Sequence, residues 1–456
     1  MSKLRWAGVI LVWLALLFSA NFLIFEIRAE GIVTIGYAIK DITPNIAGFP
    51  EPKIYLPGNP YNKPASSMQS NLSIRAIVID NEAERIALVV CDCFGLFRVD
   101  VERIREKVKD IFPKSGRVIV ASTHTHSAPD TTGVYSDARI EPDMLRYIDL
   151  VVERGAEAIR EAYAQKRHAR FNVSRLRIHD LIRNDRHPEF VDNNFFMLHA
   201  SPLGAYHDTG DPFSNLLENF ATTFYGDKIQ PIVMFNFACH PEFLRKTQTI
   251  SADFVGDLRE RMELIVRGLD GKVSRSLFFN GALGGMVVAD TPKRQNESSS
   301  MVLFNDEFIK RVRESRIVFQ NTDLSPIRFY SGTFKIKLDN DLFRDRVSRN
   351  LMPQKLEGDR LVVETSVTQL GRHVILVAVP GELSPEISLK IRKLFPRKYV
   401  AILGLANDEL GYILPKNRYK EKIHEYERHF AVNDEIGERI FDEIKKLSAK
   451  TGGGMP

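Results

Sequence analysis

Short apolar runs alternate with longer amphipathic stretches over most of the chain. The runs that we interpret as strands cover residues 75–80, 85–91, 117–122, 231–238, 276–279, 373–379 and 399–405. Because many of them are nearly continuous in Val and Ile, they are typical of strands covered on both faces. Stretches with helical spacing lie between them, at residues 99–108, 143–163, 253–268 and 385–395. This alternation predicts an α/β fold in which helices flank a central sheet.

The second half of the chain adds antiparallel strands to this picture. Residues 328–337 and 360–379 have the strand pattern, and the second segment turns at Leu370-Gly371. We therefore expect a mixed sheet or sheets. Residues 295–300 are polar and are predicted to form an exposed loop, and a last helix is predicted over residues 441–447.

The N-terminal segment differs from the rest of the chain. Lys3 and Arg5 precede an apolar run over residues 6–25 that two polar residues interrupt. Such a run is long enough to cross a bilayer as a helix, and basic residues before it favour a cytoplasmic N-terminus. We predict an uncleaved signal anchor over residues 1–30, with a cleaved signal peptide as the alternative. In both cases residues 31–456 are expected outside the cytoplasm, membrane-anchored in the first case and secreted in the second.

Composition narrows the class of protein. Apolar residues make up 44% and charged residues 27% of the 456 positions, which is typical of a folded globular protein. The net charge of +5 is mild, so nucleic-acid binding is not indicated. Three cysteines cannot form a disulfide framework. We interpret Cys91, Cys93 and Cys239 as small buried hydrophobic residues, with thiolate metal ligation as the alternative.

Two histidines directly follow one of the apolar runs. His124 and His126 come after residues 117–122 at a spacing of i, i+2. In extended backbone this spacing places two side chains on the same side. Two imidazoles at the end of a strand are a common beginning of a zinc site, whereas the alternative is a polar loop with two solvated histidines.

Other apolar runs also end in polar or glycine-rich turns. The runs at 231–238, 276–279, 373–379 and 399–405 are followed by His240, Asn280-Gly281, Glu382 and Tyr412 respectively. Since ligands of α/β folds collect outside the carboxyl ends of strands, these residues are expected around one cleft. Imidazole, carboxylate and phenol are all suitable zinc ligands. Taken singly, each has a simpler interpretation, such as a turn histidine for His240 or a carboxylate in the first turn of a helix for Glu382.

The order of these motifs resembles that of the neutral/alkaline, non-lysosomal ceramidases. The resemblance extends from about residue 35 to about residue 445. Its motifs are Gly36-Tyr37-Ala38-Ile39-Lys40-Asp41-Ile42-Thr43-Pro44, Thr123-His124-Thr125-His126-Ser127, Ala238-Cys239-His240-Pro241, Pro380-Gly381-Glu382, Gly411-Tyr412 and Tyr426-Glu427. It implies that residues 31–456 form one large ceramidase-like hydrolase domain.

The resemblance also implies a metal. A single catalytic zinc ion per chain is expected, with His124, His240, Glu382 and Tyr412 as its ligands. The implied reaction is hydrolysis of an N-acyl (amide) bond, in a ceramide-like lipid, by a metal-activated water.

Three further residues receive roles from the same resemblance. His126 is expected beside the metal, where it contacts the reacting water or the oxyanion, and it is also the best candidate to protonate the leaving amine. Tyr426 is expected to help hold the carbonyl oxygen. Arg186 is expected to line the site, with Arg183 as its rival because the Asn-Arg pattern of the family is altered here.

The chain also departs from the family pattern. The turn at residues 284–288 reads Gly-Gly-Met-Val-Val, whereas ceramidases carry Gly-Asp-x-Ser-Pro after their glycine-rich turn. The two tyrosines lie slightly further apart than in the family, and no C-terminal immunoglobulin-like domain is expected after residues 441–447. The alternatives are therefore a zinc hydrolase of a non-lipid amide or ester, and a catalytically silent binding or scaffold protein with this fold.

Overall fold

The apolar runs form the strands of two large sheets. The structure, a computed structural model, describes residues 33–47, 53–58, 62–202, 230–270, 274–288, 297–315 and 317–451. The strands are β1 (Thr34–Asp41), β2 (Tyr55–Leu56), β3 (Lys63–Pro64), β4 (Ser67–Met68), β5 (Ser73–Asp80), β6 (Arg85–Cys91), β7 (Val118–Ser122), β8 (Arg167–Arg177), β9 (Ile182–Asn184), β10 (Asn194–Pro202), β11 (Ile232–Phe237), β12 (Thr249–Ile250), β13 (Arg275–Asn280), β14 (Met286–Val288), β15 (Gln320–Asn321), β16 (Ile327–Lys337), β17 (Leu356–Glu357), β18 (Arg360–Leu370), β19 (Val374–Ala378), β20 (Glu382–Leu383), β21 (Tyr399–Leu403) and β22 (Tyr412–Ile413).

Helices occupy the segments between the strands. They are α1 (Arg98–Lys107), α2 (Pro142–Ala164), α3 (Asp253–Asp270), α4 (Glu297–Glu314), α5 (Asp341–Ser348), α6 (Pro385–Lys393), α7 (Lys416–Tyr419), α8 (Glu425–His429) and α9 (Ile436–Ala449), with 3₁₀ turns at Ser115–Arg117, Asp137–Ile140 and Lys422–His424. The helices predicted at 99–108, 143–163, 253–268 and 385–395 are confirmed as α1, α2, α3 and α6.

Both large sheets are mixed, as predicted. The nine-stranded sheet has the order β13-β11-β10-β8-β1-β5-β6-β7, with β15 beside β8, and the pairs β11–β13 and β6–β7 are parallel. The five-stranded sheet has the order β16-β18-β19-β21, with β17 beside β18. Strands β18 and β19 form the antiparallel hairpin predicted to turn at Leu370-Gly371, and β19 pairs in parallel with β21.

Alternate residues of the Val/Ile-rich strands belong to two different cores. In β6, Leu88 and Val90 pack into a core shared with Leu376 and Leu403 of the five-stranded sheet. The intervening Val89 packs instead into a core that includes residues of α1 and α2. The continuous apolar character of such a strand follows, because neither of its faces meets water.

The described residues form a single large α/β domain in which helices cover both sheets. Helix α2 packs on β1 and β5, and α3 with α4 covers the β10–β13 region. Helices α6 and α9 share a core with the five-stranded sheet. The resulting order of layers is helix, sheet, sheet, helix.

The structure bears on two further expectations from the sequence. The loop predicted at residues 295–300 is wrong for residues 297–300, which form the first turn of α4. The helix was not predicted from these polar residues because its buried apolar side chains, among them Phe304 and Phe308, come later in the sequence. The predicted membrane-spanning segment at residues 6–25 lies outside the described residues, and among the described ones no helix meets the length and apolarity needed to span a bilayer.

Candidate metal centre

The two histidines after β7 meet through a turn. Strand β7 ends at Ser122, and His124 has a φ of 67°, in the left-handed region. The prediction of extended backbone from the i, i+2 spacing is therefore wrong at His124. The rings of His124 and His126 nevertheless lie together, with centroids 5.1 Å apart, because the turn folds the chain back at the strand end.

Backbone carbonyls fix the orientation of two of the imidazoles. His124 Nδ1 lies 2.8 Å from the carbonyl oxygen of Phe94, and His240 Nδ1 lies 3.0 Å from that of Met286. A carbonyl only accepts, so both Nδ1–H groups are donors, and in the neutral rings both Nε2 atoms carry a lone pair. The aromatic ring of Phe94 also stacks on His124 at a centroid distance of 4.4 Å.

The carboxylate of Glu382 faces both of these lone pairs. Its Oε2 is 3.0 Å from His240 Nε2, and its Oε1 is 3.5 Å from His124 Nε2. Two lone pairs and an anion are mutually repulsive at these distances unless a proton or a metal ion lies between them. The donor set therefore fits a cation.

His126 completes a group of three buried imidazoles. Its Nε2 is buried, and no residue that the structure describes gives it a hydrogen bond. One nitrogen each of His124, His126 and His240 lies within 4.8 Å of the others, an arrangement able to hold a metal ion. A cation bound at this centre, or a water bound with it, would lie beside the His126 nitrogen that the described residues leave without a partner.

Burial keeps two of the imidazoles neutral. It lowers the pKa of His124 to about 4 and the pKa of His126 well below its usual value. For His240, burial also favours the neutral form, but the hydrogen bond to Glu382 outweighs it and raises the pKa. Burial opposes ionisation of Glu382, yet the neighbouring imidazoles of His124 and His240 hold its pKa below the usual value. Neutral imidazoles and an ionised carboxylate are the states that ligate metals.

Tyr412 and Tyr426 occupy different depths. Tyr412 is buried opposite Glu382 in the parallel pair of β20 and β22, and its phenol contributes to lowering the pKa of that carboxyl group. Tyr426 is half-exposed, and its ring centroid lies 6.1 Å from that of Tyr412. The hydroxyl of Tyr426 is 2.6 Å from that of Tyr135, a residue that the sequence analysis did not single out. Tyr426 therefore stands at the rim, above the buried histidines.

The two arginines are separated by their partners. Arg186 Nε donates to Glu427 Oε1 at 2.7 Å, which places its guanidinium beside the segment of Tyr426. Arg183 pairs with Asp185 at 2.6 Å. Through its contact with Glu427, Arg186 lies beside Tyr426 at the rim, whereas Arg183 pairs with Asp185.

Solved structures with the same architecture exist. The neutral ceramidase from Pseudomonas aeruginosa superposes with a TM-score of 0.69 at 15% identity, over 92% of this chain and 75% of that one. A ceramidase complexed with C2 superposes with a TM-score of 0.68 at 14% identity, over 93% of this chain and 76% of that one. The chain has the neutral ceramidase fold. Searches against protein-family models and curated protein sequences find no match.

In this ceramidase fold, one asparagine that the sequence analysis treated as part of a turn ties the histidine segments together. Asn280 Nδ2 donates to the carbonyl of Thr123 at 3.0 Å and to that of Cys239 at 2.8 Å. Its Oδ1 accepts from the backbone N–H groups of Cys239 and Gly281. Strands β13 and β7 are the two ends of the nine-stranded sheet, so this side chain bridges the ends of that sheet. A polar residue at the end of an apolar run was the only available signal.

The glycine-rich turn has a steric cause. A Cβ added to Gly284 would lie 2.6 Å from the carbonyl oxygen of Glu382, so the backbone passes too close to the candidate ligand for any side chain. The three cysteines are buried and unbridged, as interpreted from the sequence, and the candidate metal clusters of the described chain contain none of them.

A narrow cavity opens beside Glu382. Its walls are mainly aromatic and apolar and include Phe94, Tyr135, Phe343, Met352, Tyr412 and Phe430. Such a lining favours an apolar group next to the carboxylate.

Proposed function

We propose that this protein is a zinc-dependent amidase that cleaves the N-acyl bond of a ceramide-like lipid. The observation that carries the proposal is the meeting of the buried imidazoles of His124, His126 and His240 with the carboxylate of Glu382. It supports the proposal because the lone pairs of two imidazoles and an anion need a cation between them. The neutral ceramidase fold supports the choice of reaction, although fold alone does not fix it.

One zinc ion per chain would be held by His124, His240, Glu382 and Tyr412, with His126 beside it. Nitrogen and oxygen donors of this kind suit zinc. When bound, the ion supplies Lewis acidity, which lowers the pKa of water and polarises a carbonyl group.

The chain's own residues supply proton transfer and charge stabilisation. The buried imidazole of His126 is neutral, so it can take a proton from the attacking water and return it to the leaving amine. The phenol of Tyr426 can donate a hydrogen bond to the developing oxyanion, and Tyr135 holds it at 2.6 Å. Arg186 adds positive charge at the rim and is fixed there by Glu427.

The aromatic cavity beside Glu382 supports a lipid substrate, because its mainly apolar walls favour an apolar group next to the carboxylate. The proposal includes an extracytoplasmic location with a membrane anchor at residues 1–30, which would bring the site to a bilayer. It requires no serine nucleophile, so it agrees with the turn at residues 284–288.

The same turn favours a second candidate. Residues 284–288 lack the serine that ceramidases carry. A zinc hydrolase of a smaller, non-lipid amide or ester would use the same histidines without the lipid-specific contacts.

The test compares three substrates with the zinc-loaded full chain: a ceramide, a short N-acyl amine and an aryl ester. We expect ceramide to be the best substrate. We expect His124→Ala to lower kcat/KM by about 10³-fold because it removes an imidazole that no other residue replaces. The matched control is His179→Ala, at an exposed histidine.

The outcomes separate the candidates. Preference for the small amide or the ester, abolished by His124→Ala, would establish the second candidate. Absence of turnover on all three substrates by a folded, zinc-loaded protein would leave a silent member of the fold.

A further inference from the structure

A second cluster of metal-binding side chains lies outside the candidate catalytic centre. His187 follows β9, whereas Glu421 and His424 lie between α7 and α8. One ligand atom from each of the three residues lies within 4.8 Å of the other two. None of them has a role in the proposed hydrolysis.

The spacing within this cluster matches that of ligands around one ion. His187 Nε2 is 3.1 Å from His424 Nε2 and 3.1 Å from Glu421 Oε2. Two ligands at zinc distances of about 2.0–2.2 Å and near-tetrahedral angles lie about 3.3–3.5 Å apart. The two separations from His187 therefore differ by only a few tenths of an ångström from those around a single ion.

The outer nitrogens of both imidazoles face carboxylates. His187 Nδ1 lies 3.4 Å from Glu189 Oε1, and His424 Nδ1 lies 3.5 Å from Glu427 Oε2. A carboxylate at Nδ1 favours the tautomer with the proton on that nitrogen, as in carboxylate–histidine–metal arrangements. Both Nε2 lone pairs then point at each other and at the anion of Glu421. A cation between them removes this repulsion.

The burial of His424 distinguishes this cluster from a chance grouping of surface side chains. Only 4% of the surface of His424 is exposed, so protein groups rather than water surround its ring.

We propose that His187, Glu421 and His424 form a second metal site, selective for a divalent transition ion of the zinc class. Two imidazoles and one carboxylate select such ions over Mg²⁺ and Ca²⁺, which prefer all-oxygen sites.

This second site would position the rim of the catalytic centre. The loop of His187 also carries Arg186, and the segment of Glu421 and His424 leads directly into Tyr426. Glu427 contacts both sides, through Arg186 at 2.7 Å and through His424 at 3.5 Å. An ion shared by the two segments fixes them against each other.

The first test is zinc stoichiometry of the full chain after chelation, reloading with Zn²⁺ and removal of excess. We expect two ions in the wild type, one in His187→Gln, one in His124→Ala and none in the double variant. A zinc content that His187→Gln leaves unchanged overturns the second site. Loss of zinc in His187→Gln with no effect of His124→Ala would instead contradict the catalytic centre and keep the second site.

Thermal unfolding gives a second readout, independent of activity. In the His124→Ala background, added Zn²⁺ should raise the Tm by several degrees, and His187→Gln should abolish that rise. Glu421→Gln, at a partly exposed position, serves if His187→Gln does not fold, and should weaken zinc binding by about tenfold or more. The matched control is His429→Gln, at an exposed histidine of the same segment. An equal Tm rise with and without the cluster side chains would overturn the second site, because the stabilising ion would then bind elsewhere.

Discussion

At the scale of single residues, Asp408 shows how burial changes a carboxyl group. Its Oδ1 accepts hydrogen bonds from the backbone N–H groups of Arg98 and Glu409 and from the side chain of Gln354. Burial outweighs these three bonds and raises the pKa of Asp408 to about 6. At neutral pH the fold therefore contains a carboxylate that would be more stable in water.

This shift predicts how stability depends on pH. Between about pH 4 and pH 6 the native state retains a proton that the unfolded chain has lost, so the contribution of Asp408 to stability falls as pH rises through this range and is constant above it. Asp408→Asn keeps the Oδ1 acceptor without the charge. At pH 8 we expect its free energy of unfolding to exceed that of the wild type by up to about 3 kcal/mol, so that it unfolds at a higher urea concentration. Near pH 4 we expect no difference.

Urea unfolding at pH 4.5, 6 and 8 measures this difference. Asp359→Asn, at an exposed carboxylate, is the control and should show no such trend. A stability difference that is the same at all three pH values would contradict the assigned shift.

The residues of the candidate centre were predictable to different degrees. His124, His240 and Glu382 stand at the ends of apolar runs, and this position indicates a shared cleft. Tyr135 carries no such signal, because its contact with Tyr426 joins segments 291 positions apart. Only the folded chain brings that pair together.

At the scale of elements, the short parallel pair of β20 and β22 places Glu382 beside Tyr412. It depends on Gly411, which has a φ of +70° and where an added Cβ would overlap the carbonyl oxygen of Phe430. The backbone of Gly411 passes so close to that of Phe430 that no side chain fits. This crossing of the two segments also brings the segment of Tyr426 close to Tyr412.

We expect Gly411→Ala to displace this crossing, to destabilise the protein by about 3 kcal/mol or more, and to lower zinc content at the candidate centre. Gly358→Ala is a matched control, since Gly358 has a φ of +68° but no atom within 4 Å of an added Cβ. It should show only the conformational penalty of about 1 kcal/mol. Equal destabilisation of the two variants, measured by urea unfolding, would show that strain in φ and not the crossing is responsible.

The boundaries of strands and helices were predictable where the sequence pattern was strong and were missed where it was weak. Strand β6 was predictable because six of its seven residues alternate between two apolar cores. Strands β20 and β22 have two residues each, too few for any periodicity. The start of α4 was missed because its first turn is polar and its buried phenylalanines come later.

At the scale of the whole molecule, the nine-stranded sheet brings its two end strands together at the candidate centre. Asn280, at the end of β13, donates to the backbone after β7 and after β11. The five-stranded sheet joins the same region, since the N–H of Gly404 donates to the carbonyl of Asn280 at 3.0 Å. The order of the strands could not be predicted from the sequence, because it depends on pairings between distant segments.

Asn280→Ala should therefore affect stability and metal binding together. It removes a hydrogen-bond partner from the backbone N–H and C=O of Cys239 and from the C=O of Thr123, and one of the two acceptors of the Gly281 N–H. We expect a loss of about 3–5 kcal/mol and weaker zinc binding. Asn193→Ala, whose side chain contacts His179 at the surface, is the control. Urea unfolding and a zinc titration of both variants check this. Full stability in Asn280→Ala would contradict the bridging role.

The contact between His240 and Glu382 joins residues 142 positions apart, one after strand β11 and the other at the start of strand β20. A nascent chain that has emerged only as far as the histidines lacks the anion that completes the cavity. An ion at the proposed centre would therefore be loaded late in biogenesis, after the segment of Glu382 has folded, from the pool of the compartment where folding finishes.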